Sequence, residues 1–207
     1  VRVIFNFAGS QQLAAQIGQG APANLFASAN QTQMQVAIAA GRVDAQQVRI
    51  FASNQLMVVV SPTSQVAINT LADLASPAAK SILADPSVPA GQYALQFLQQ
   101  AAADPAHGPA FEQAVPGRVV LYEENVCNVL SKVGPGEADA GIVYTSDAIT
   151  QSQLRQIGIP AALNVQARYP IATLSDSKQR DVAERFVAFV LSESGQQILA
   201  NTGFGAP

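Results

Sequence analysis

Three short stretches hold the residues best placed to do chemistry. They are Phe7-Ala8-Gly9-Ser10, Val88-Pro89-Ala90-Gly91 and Glu124-Asn125-Val126. Each reads as a turn between a strand and the bare start of a helix. The second lies in the run Ala84 to Ala94, where two prolines and a glycine sit at the helix start and no Lys, Arg or His occurs. The first turn of a helix leaves N–H groups without intrahelical partners and carries the positive end of the helix dipole. Three such starts brought together make a site for an anion without a cationic side chain. The same turns also occur in α/β proteins that bind nothing there, and spacing alone does not separate the two readings. Taken alone, Ser10 reads as a helix N-cap and Tyr144 as a core aromatic with a satisfied hydroxyl.

These turns need elements to hold them. Val1 to Phe7 reads as a strand, and Leu13 and Ile17 sit four apart on the helix that follows Ser10. Leu25 to Ser28, Arg49 to Phe51 and Gln55 to Val60 read as strands, and so does Ser81 to Leu83 ahead of the second turn. Ala94, Phe97, Leu98 and Ala101 then recur at helical spacing. Arg118 to Tyr122 is the strand before the third turn. After it Asn125 is a helix cap, Val126, Val129, Leu130 and Val133 form a stripe, and Gly134-Pro135-Gly136 stops the helix. Ala140 to Tyr144 and Ala167 to Leu174 are further strands. Two C-terminal helices run over 181–191 and 195–201, with Val182, Phe186, Val187 and Val190 inward. Strands alternating with helices predict an α/β fold with mostly parallel sheet. The segments near residue 55 and after residue 145 read as crossovers between two lobes.

Composition narrows the function. The chain has 207 residues, enough for one large domain or two small lobes with a real core. With 49% apolar and 12% charged residues it is not disordered in general, and a net charge of −3 with no basic run argues against a nucleic-acid partner. One Cys and one His exclude the usual zinc site. The apolar runs are too short to span a bilayer. An enzyme is disfavoured: no G-x-S-x-G elbow, Walker A motif or complete dinucleotide loop occurs. His107, in a Pro/Gly loop, reads as exposed and is a poor base. Glu123 and Glu124, adjacent in a turn, read as solvated rather than as metal ligands, and Cys127 as buried and inert. Ser28 reads as ordering a nearby loop. A ligand-sensing module of a regulator would normally bring a DNA-binding helix-turn-helix, and none is seen.

Several motifs then fall in order along nearly the whole chain. Phe7-Ala8-Gly9-Ser10 with Leu13 to Ile17, Gly20-Ala21-Pro22-Ala23, Leu25 to Ala29, Asp85-Pro86 with Val88 to Gly91 and Tyr93-Ala94, Glu124-Asn125-Val126, and Gly141-Ile142-Val143-Tyr144 with Ser146-Asp147-Ala148 are such motifs. Together they resemble the periplasmic molybdate-binding proteins of ABC importers. The C-terminal Phe189 to Ser192, Gly195-Gln196 and Gly203-Phe204 match the tail of that class. The resemblance implies a two-lobed periplasmic-binding-protein-like (type II) fold with a ligand cleft between the lobes. Lobe I would comprise 1–54 and 164–207, and lobe II 55–163. It implies a ligand, molybdate or tungstate, held by the Ser10 hydroxyl and amide, by backbone N–H groups at Ala90 and Val126, and by the Tyr144 hydroxyl. No side chain would coordinate the metal and no cofactor is implied. The partners implied are a membrane permease and its ATPase, with the binding protein itself a monomer that carries out no chemical step. Binding of sulfate or another oxyanion is the alternative.

The resemblance begins at what is the second strand of that family. The expectation is therefore an incomplete first lobe, lacking a strand, a helix, a further Ser donor, and any leader or lipid-anchor cysteine, with exposed sheet edges as a result. A periplasmic or extracytoplasmic location follows from the resemblance, with lipid anchoring of the full-length protein as an option.

Overall fold

The computed structural model describes residues 2–207. Its strands are β1 (Leu25–Ala27), β2 (Arg49–Asn54), β3 (Leu56–Val60), β4 (Ser81–Ala84), β5 (Val119–Glu123), β6 (Ala140–Tyr144), β7 (Arg155–Gly158) and β8 (Ala167–Thr173). The helices are α1 (Ser10–Gly18), α2 (Gln31–Ala39), α3 (Pro89–Ala103), α4 (Phe111–Ala114), α5 (Val126–Val133), α6 (Thr145–Ala148), α7 (Arg180–Leu191) and α8 (Glu193–Asn201). The strands form two sheets, ordered β1-β8-β2 and β5-β4-β6-β3-β7. The chain crosses between the sheets at the single residue Gln55 and again between β7 and β8.

The α/β alternation is as expected, but the mostly parallel sheet is not. The three-stranded sheet is antiparallel throughout. In the five-stranded sheet β4 runs parallel to β5 and β6, whereas β3 is antiparallel to β6 and β7. The cause lies in the crossings. Helical crossovers within one sheet give parallel neighbours. β3 and β8 instead enter their sheets from the other sheet, and both pair antiparallel.

The elements that carry the site have clear local causes. α3 begins with Pro89, whose missing N–H would be unpaired there in any case, and it buries Ala94, Phe97, Leu98 and Ala101. α5 starts at Asn125, whose side chain accepts from the Asn128 N–H at 3.0 Å. Its Val129 and Val133 are buried against β6. The packing is close because Gly141 has no side chain: a Cβ there would meet Val129 Cγ1 at 2.7 Å. The larger core cluster, with Leu56, Val58, Ile82, Phe97 and Leu98, lies around the five-stranded sheet. A smaller one around Ala14, Phe26, Met34 and Leu174 lies beside the three-stranded sheet.

Two expectations fail at the chain ends. The strand predicted over Val1–Phe7 does not form in Arg2–Phe7, and Val1 lies outside the described residues. A strand needs a neighbour's hydrogen bonds, and nothing among the described residues pairs with this segment. Ile4 and Phe7 are 80% and 87% exposed, and Phe5 stacks on Phe7 with ring centroids 5.6 Å apart. Val182, Phe186, Val187 and Val190 of α7 are only partly covered; Ala183 is the buried residue of that helix.

Candidate functional site

The starts of three helices meet on one cavity. α1 supplies Gly9 and Ser10, α3 supplies Pro89 and Ala90, and α5 supplies Asn125 and Val126. Tyr144, at the end of β6, lines the same cavity, whose volume is about 380 Å3. All four residues singled out from the sequence, Ser10, Ala90, Val126 and Tyr144, therefore face a common space. Among the described residues no Lys, Arg or His lines it.

Each helix offers unspent donors. The Gly9 carbonyl accepts from the Gln12 and Leu13 N–H groups, which leaves the amides of Ser10 and Gln11 at the helix tip. Ser10 is the first residue of α1, with Gly9 as the cap. Its hydroxyl oxygen accepts the Ala29 N–H at 3.0 Å, so its own proton is free to donate elsewhere. Ala90 and Gly91 follow Pro89 in the first turn of α3, and Val126 and Cys127 open α5. Their N–H groups lie ahead of any possible intrahelical acceptor.

Tyr144 is only 4% exposed, and its hydroxyl is buried with no hydrogen-bond partner among the described residues. Burial, with the neighbouring Tyr169 hydroxyl next in effect, pushes its ionisation well above the usual phenol range. Tyr169 biases that ionisation without reaching hydrogen-bonding geometry. The group is thus a protonated donor in want of an acceptor. Its ring is held between Tyr93 and Tyr169, with centroids at 6.3 and 5.8 Å. Asn54 fixes the Tyr169 side through hydrogen bonds from its Nδ2 to the Tyr169 hydroxyl at 3.3 Å and to Ser146 Oγ at 2.7 Å.

Other candidates fall differently. Ser28 does order a loop: its hydroxyl donates to the Asn30 carbonyl at 2.8 Å. Glu123 is buried, contrary to expectation, because Lys132 of α5 reaches back to form an ion pair with it. Glu124 is exposed; its backbone carbonyl accepts from Gln11 and its Oε2 from Gln12. Cys127 is exposed and lines the cavity instead of being buried, because it projects from the first turn of α5 away from the Val129/Val133 face. His107 is half-buried, its ring tilted over Phe111 at 4.9 Å, because the loop folds back on α4. Among the described residues no group of three or more His, Cys, Asp or Glu could hold a metal ion. Gln11 and Ala29 also line the cavity; Ala29 closes the Leu25–Ala29 motif, whereas nothing in the local sequence marks Gln11.

Asp147 lies one turn beyond Tyr144, and its Oδ2 is buried without a partner. Burial raises its pKa from 3.8 to about 6, opposed by a hydrogen bond from the Tyr144 backbone. The folded state therefore prefers the protonated acid. The stability this gives is present below about pH 4 and is lost as pH rises through about 6. Asp147→Asn should stabilise the protein at pH 7.5 by up to about 3 kcal/mol and have little effect at pH 4. Urea midpoints of the two proteins at both pH values measure this, and an equal shift at both would contradict it.

The chain belongs to the family of bacterial extracellular solute-binding proteins, whose sequence model matches residues 1–205. The molybdate-binding protein ModA of Mycobacterium tuberculosis is 36% identical over 208 residues, which is all of this chain and 75% of that protein. Among solved structures, the substrate-binding domain of a putative molybdenum ABC transporter from Clostridium difficile superposes with a TM-score of 0.70. It is 28% identical and covers 98% of this chain and 85% of its own. The Azotobacter vinelandii periplasmic molybdate-binding protein shares the fold, with a TM-score of 0.79 at 20% identity over 96% of this chain and 85% of its own. The architecture is thus that of periplasmic-binding-protein-like α/β proteins. Among the described residues no helix is long and apolar enough to cross a membrane.

Proposed function

We propose that this chain captures molybdate or tungstate in the cavity between the two sheets and presents it to the permease and ATPase of an ABC importer. The observation that carries this reading is the Tyr144 hydroxyl, buried and unpartnered on the same cavity as three bare helix starts. A donor without an acceptor is costly to bury, and a fully deprotonated oxyanion is what would satisfy it. The binding groups are the Ser10 hydroxyl and amide, the Ala90 and Val126 amides and the Tyr144 hydroxyl. The lobes are 1–54 with 164–207, and 55–163, a division supported by sheet membership.

The chemistry of these donors favours some oxyanions over others. Molybdate and tungstate carry no proton at neutral pH and need only donors. Phosphate keeps a proton and calls for an acceptor. Glu124 is the carboxylate on the cavity, and Gln12 already engages it. Each hydrogen bond to a charged ligand contributes about 1.5–3 kcal/mol. About five of them, less the cost of closure, reach the roughly −8 to −12 kcal/mol of a micromolar to nanomolar binder. Capture involves no chemical step. Delivery takes place outside the cytoplasm, in a periplasm or at a membrane to which a lipid anchor tethers the protein.

Calorimetric titration with molybdate, tungstate, sulfate and phosphate tests this reading. Tight binding of the first two with weak or silent sulfate and phosphate is expected. Preference for sulfate would reassign the ligand within the same oxyanion class, and silence toward all four would overturn the reading.

A further inference from the structure

Two sets of hydrogen bonds join the regions on either side of the cavity. Gln11 Nε2 donates to the Glu124 carbonyl at 3.0 Å, and Gln12 Nε2 donates to Glu124 Oε2 at 3.0 Å. Elsewhere Asn30 Nδ2 donates to Gln92 Oε1 at 2.9 Å, and the Tyr93 hydroxyl reaches the Ala29 carbonyl at 3.4 Å. The first set is the more unusual. Glu124 places a carboxylate on the rim of a cavity otherwise built of neutral donors, where it opposes an anion. The bonds it accepts are solvent-exposed, so the core does not need them.

Position explains the residue. Gln11 and Gln12 directly follow Ser10, and Glu124 stands two residues before Val126. The bonds therefore tie the tip of α1 to the tip of α5, the two helix starts that reach the cavity from opposite sheets. Any separation of the lobes breaks both bonds at once, and water replaces them. A tie of this kind acts on the closed state and leaves the encounter with the open cleft unchanged.

We propose that Glu124, Gln11 and Gln12 are positioning residues that latch the cleft shut over the bound oxyanion and set its residence time. This rests on the oxyanion-capture reading above. Gln11 and Glu124 line the cavity, but the latch acts through lobe closure. Electrostatics and the latch predict opposite signs. If Glu124 only repelled the ligand, removing its charge would slow release. If it latches, removing the Oε2 acceptor, which frees Gln12 while Gln11 keeps the backbone carbonyl, speeds release.

Stopped-flow measurement with molybdate tests the latch, using tyrosine fluorescence; the chain has no Trp, and Tyr93, Tyr144 and Tyr169 cluster by the cavity. Glu124→Ala is expected to raise the release rate about 5- to 30-fold with the association rate within about threefold of the parent. Glu124→Gln keeps an acceptor for Gln12 and should release molybdate no more than about threefold faster than the parent. The melting temperatures of the ligand-free proteins should agree, which a general structural role would not allow. Gln12→Ala is a less clean variant, because Gln12 Oε1 also accepts from the Gly9 N–H at 3.2 Å. Unchanged or slower release from Glu124→Ala, or equally fast release from both Glu124 variants, overturns the latch alone. A parent protein that does not bind molybdate overturns the oxyanion reading and the latch together.

Discussion

Tyr144→Phe should bind molybdate about 10- to 100-fold more weakly and yet melt at a higher temperature than the parent protein. The two effects come from one atom. On the proposed reading the hydroxyl donates to a charged ligand, a contact worth about 1.5–3 kcal/mol. Without ligand the same hydroxyl is buried and unpartnered, so deleting it removes a desolvation cost of about 1–3 kcal/mol. The phenyl ring keeps its edge contacts with Tyr93 and Tyr169, and the cavity wall stays in place. Calorimetry gives the affinity and differential scanning gives the melting temperature. Unchanged affinity would remove Tyr144 from the site. A lower melting temperature would show that the hydroxyl is satisfied in the ligand-free protein.

Gly91→Ala should cost about 3 kcal/mol or more and abolish tight binding as a consequence. A Cβ on Gly91 would stand 2.0 Å from the Asp85 carbonyl oxygen and 2.6 Å from that of Ala84. Both are backbone atoms at the end of β4, so no side chain can swing aside. The first turn of α3 would have to lift off the strand and carry the Ala90 amide with it. Gly158→Ala is the matched control, since a Cβ there meets nothing within 4 Å. Urea denaturation of the two variants beside the parent measures the difference. Equal midpoints would mean that α3 does not sit against β4 as described.

The features legible in the sequence were those written in a few adjacent residues. Asn125 announced the start of α5 because its own side chain makes the capping bond, and Gly134-Pro135-Gly136 announced its end. The α3 stripe was legible because Phe97 and Leu98 repeat at the helical period of one buried face. Strand direction was not legible, because it depends on β3 and β8 changing sheets rather than on their composition. Glu123 looked solvated because its partner Lys132 lies nine positions on and meets it only through α5 packing. Cys127 looked buried because the stripe around it is apolar, whereas its own position on the first turn faces the cavity. The candidate site was legible only as a set of motifs in order. The bonds from Gln11 and Gln12 to Glu124 span 113 and 112 residues and leave no local trace.

The lack of Lys, Arg and His around the cavity bears on the medium in which such a protein can work. Mobile ions screen exposed charges over about 10 Å at 0.1 M ionic strength, but they do not enter the few ångströms between an amide and the atom it grips. A pocket built on lysines loses part of its hold as the medium grows saltier. A pocket built on peptide N–H groups in contact with the ligand loses less of it, although the helix dipoles behind them are screened too. The overall charge of −3 repels an approaching dianion, so added electrolyte, by muting that repulsion, eases loading.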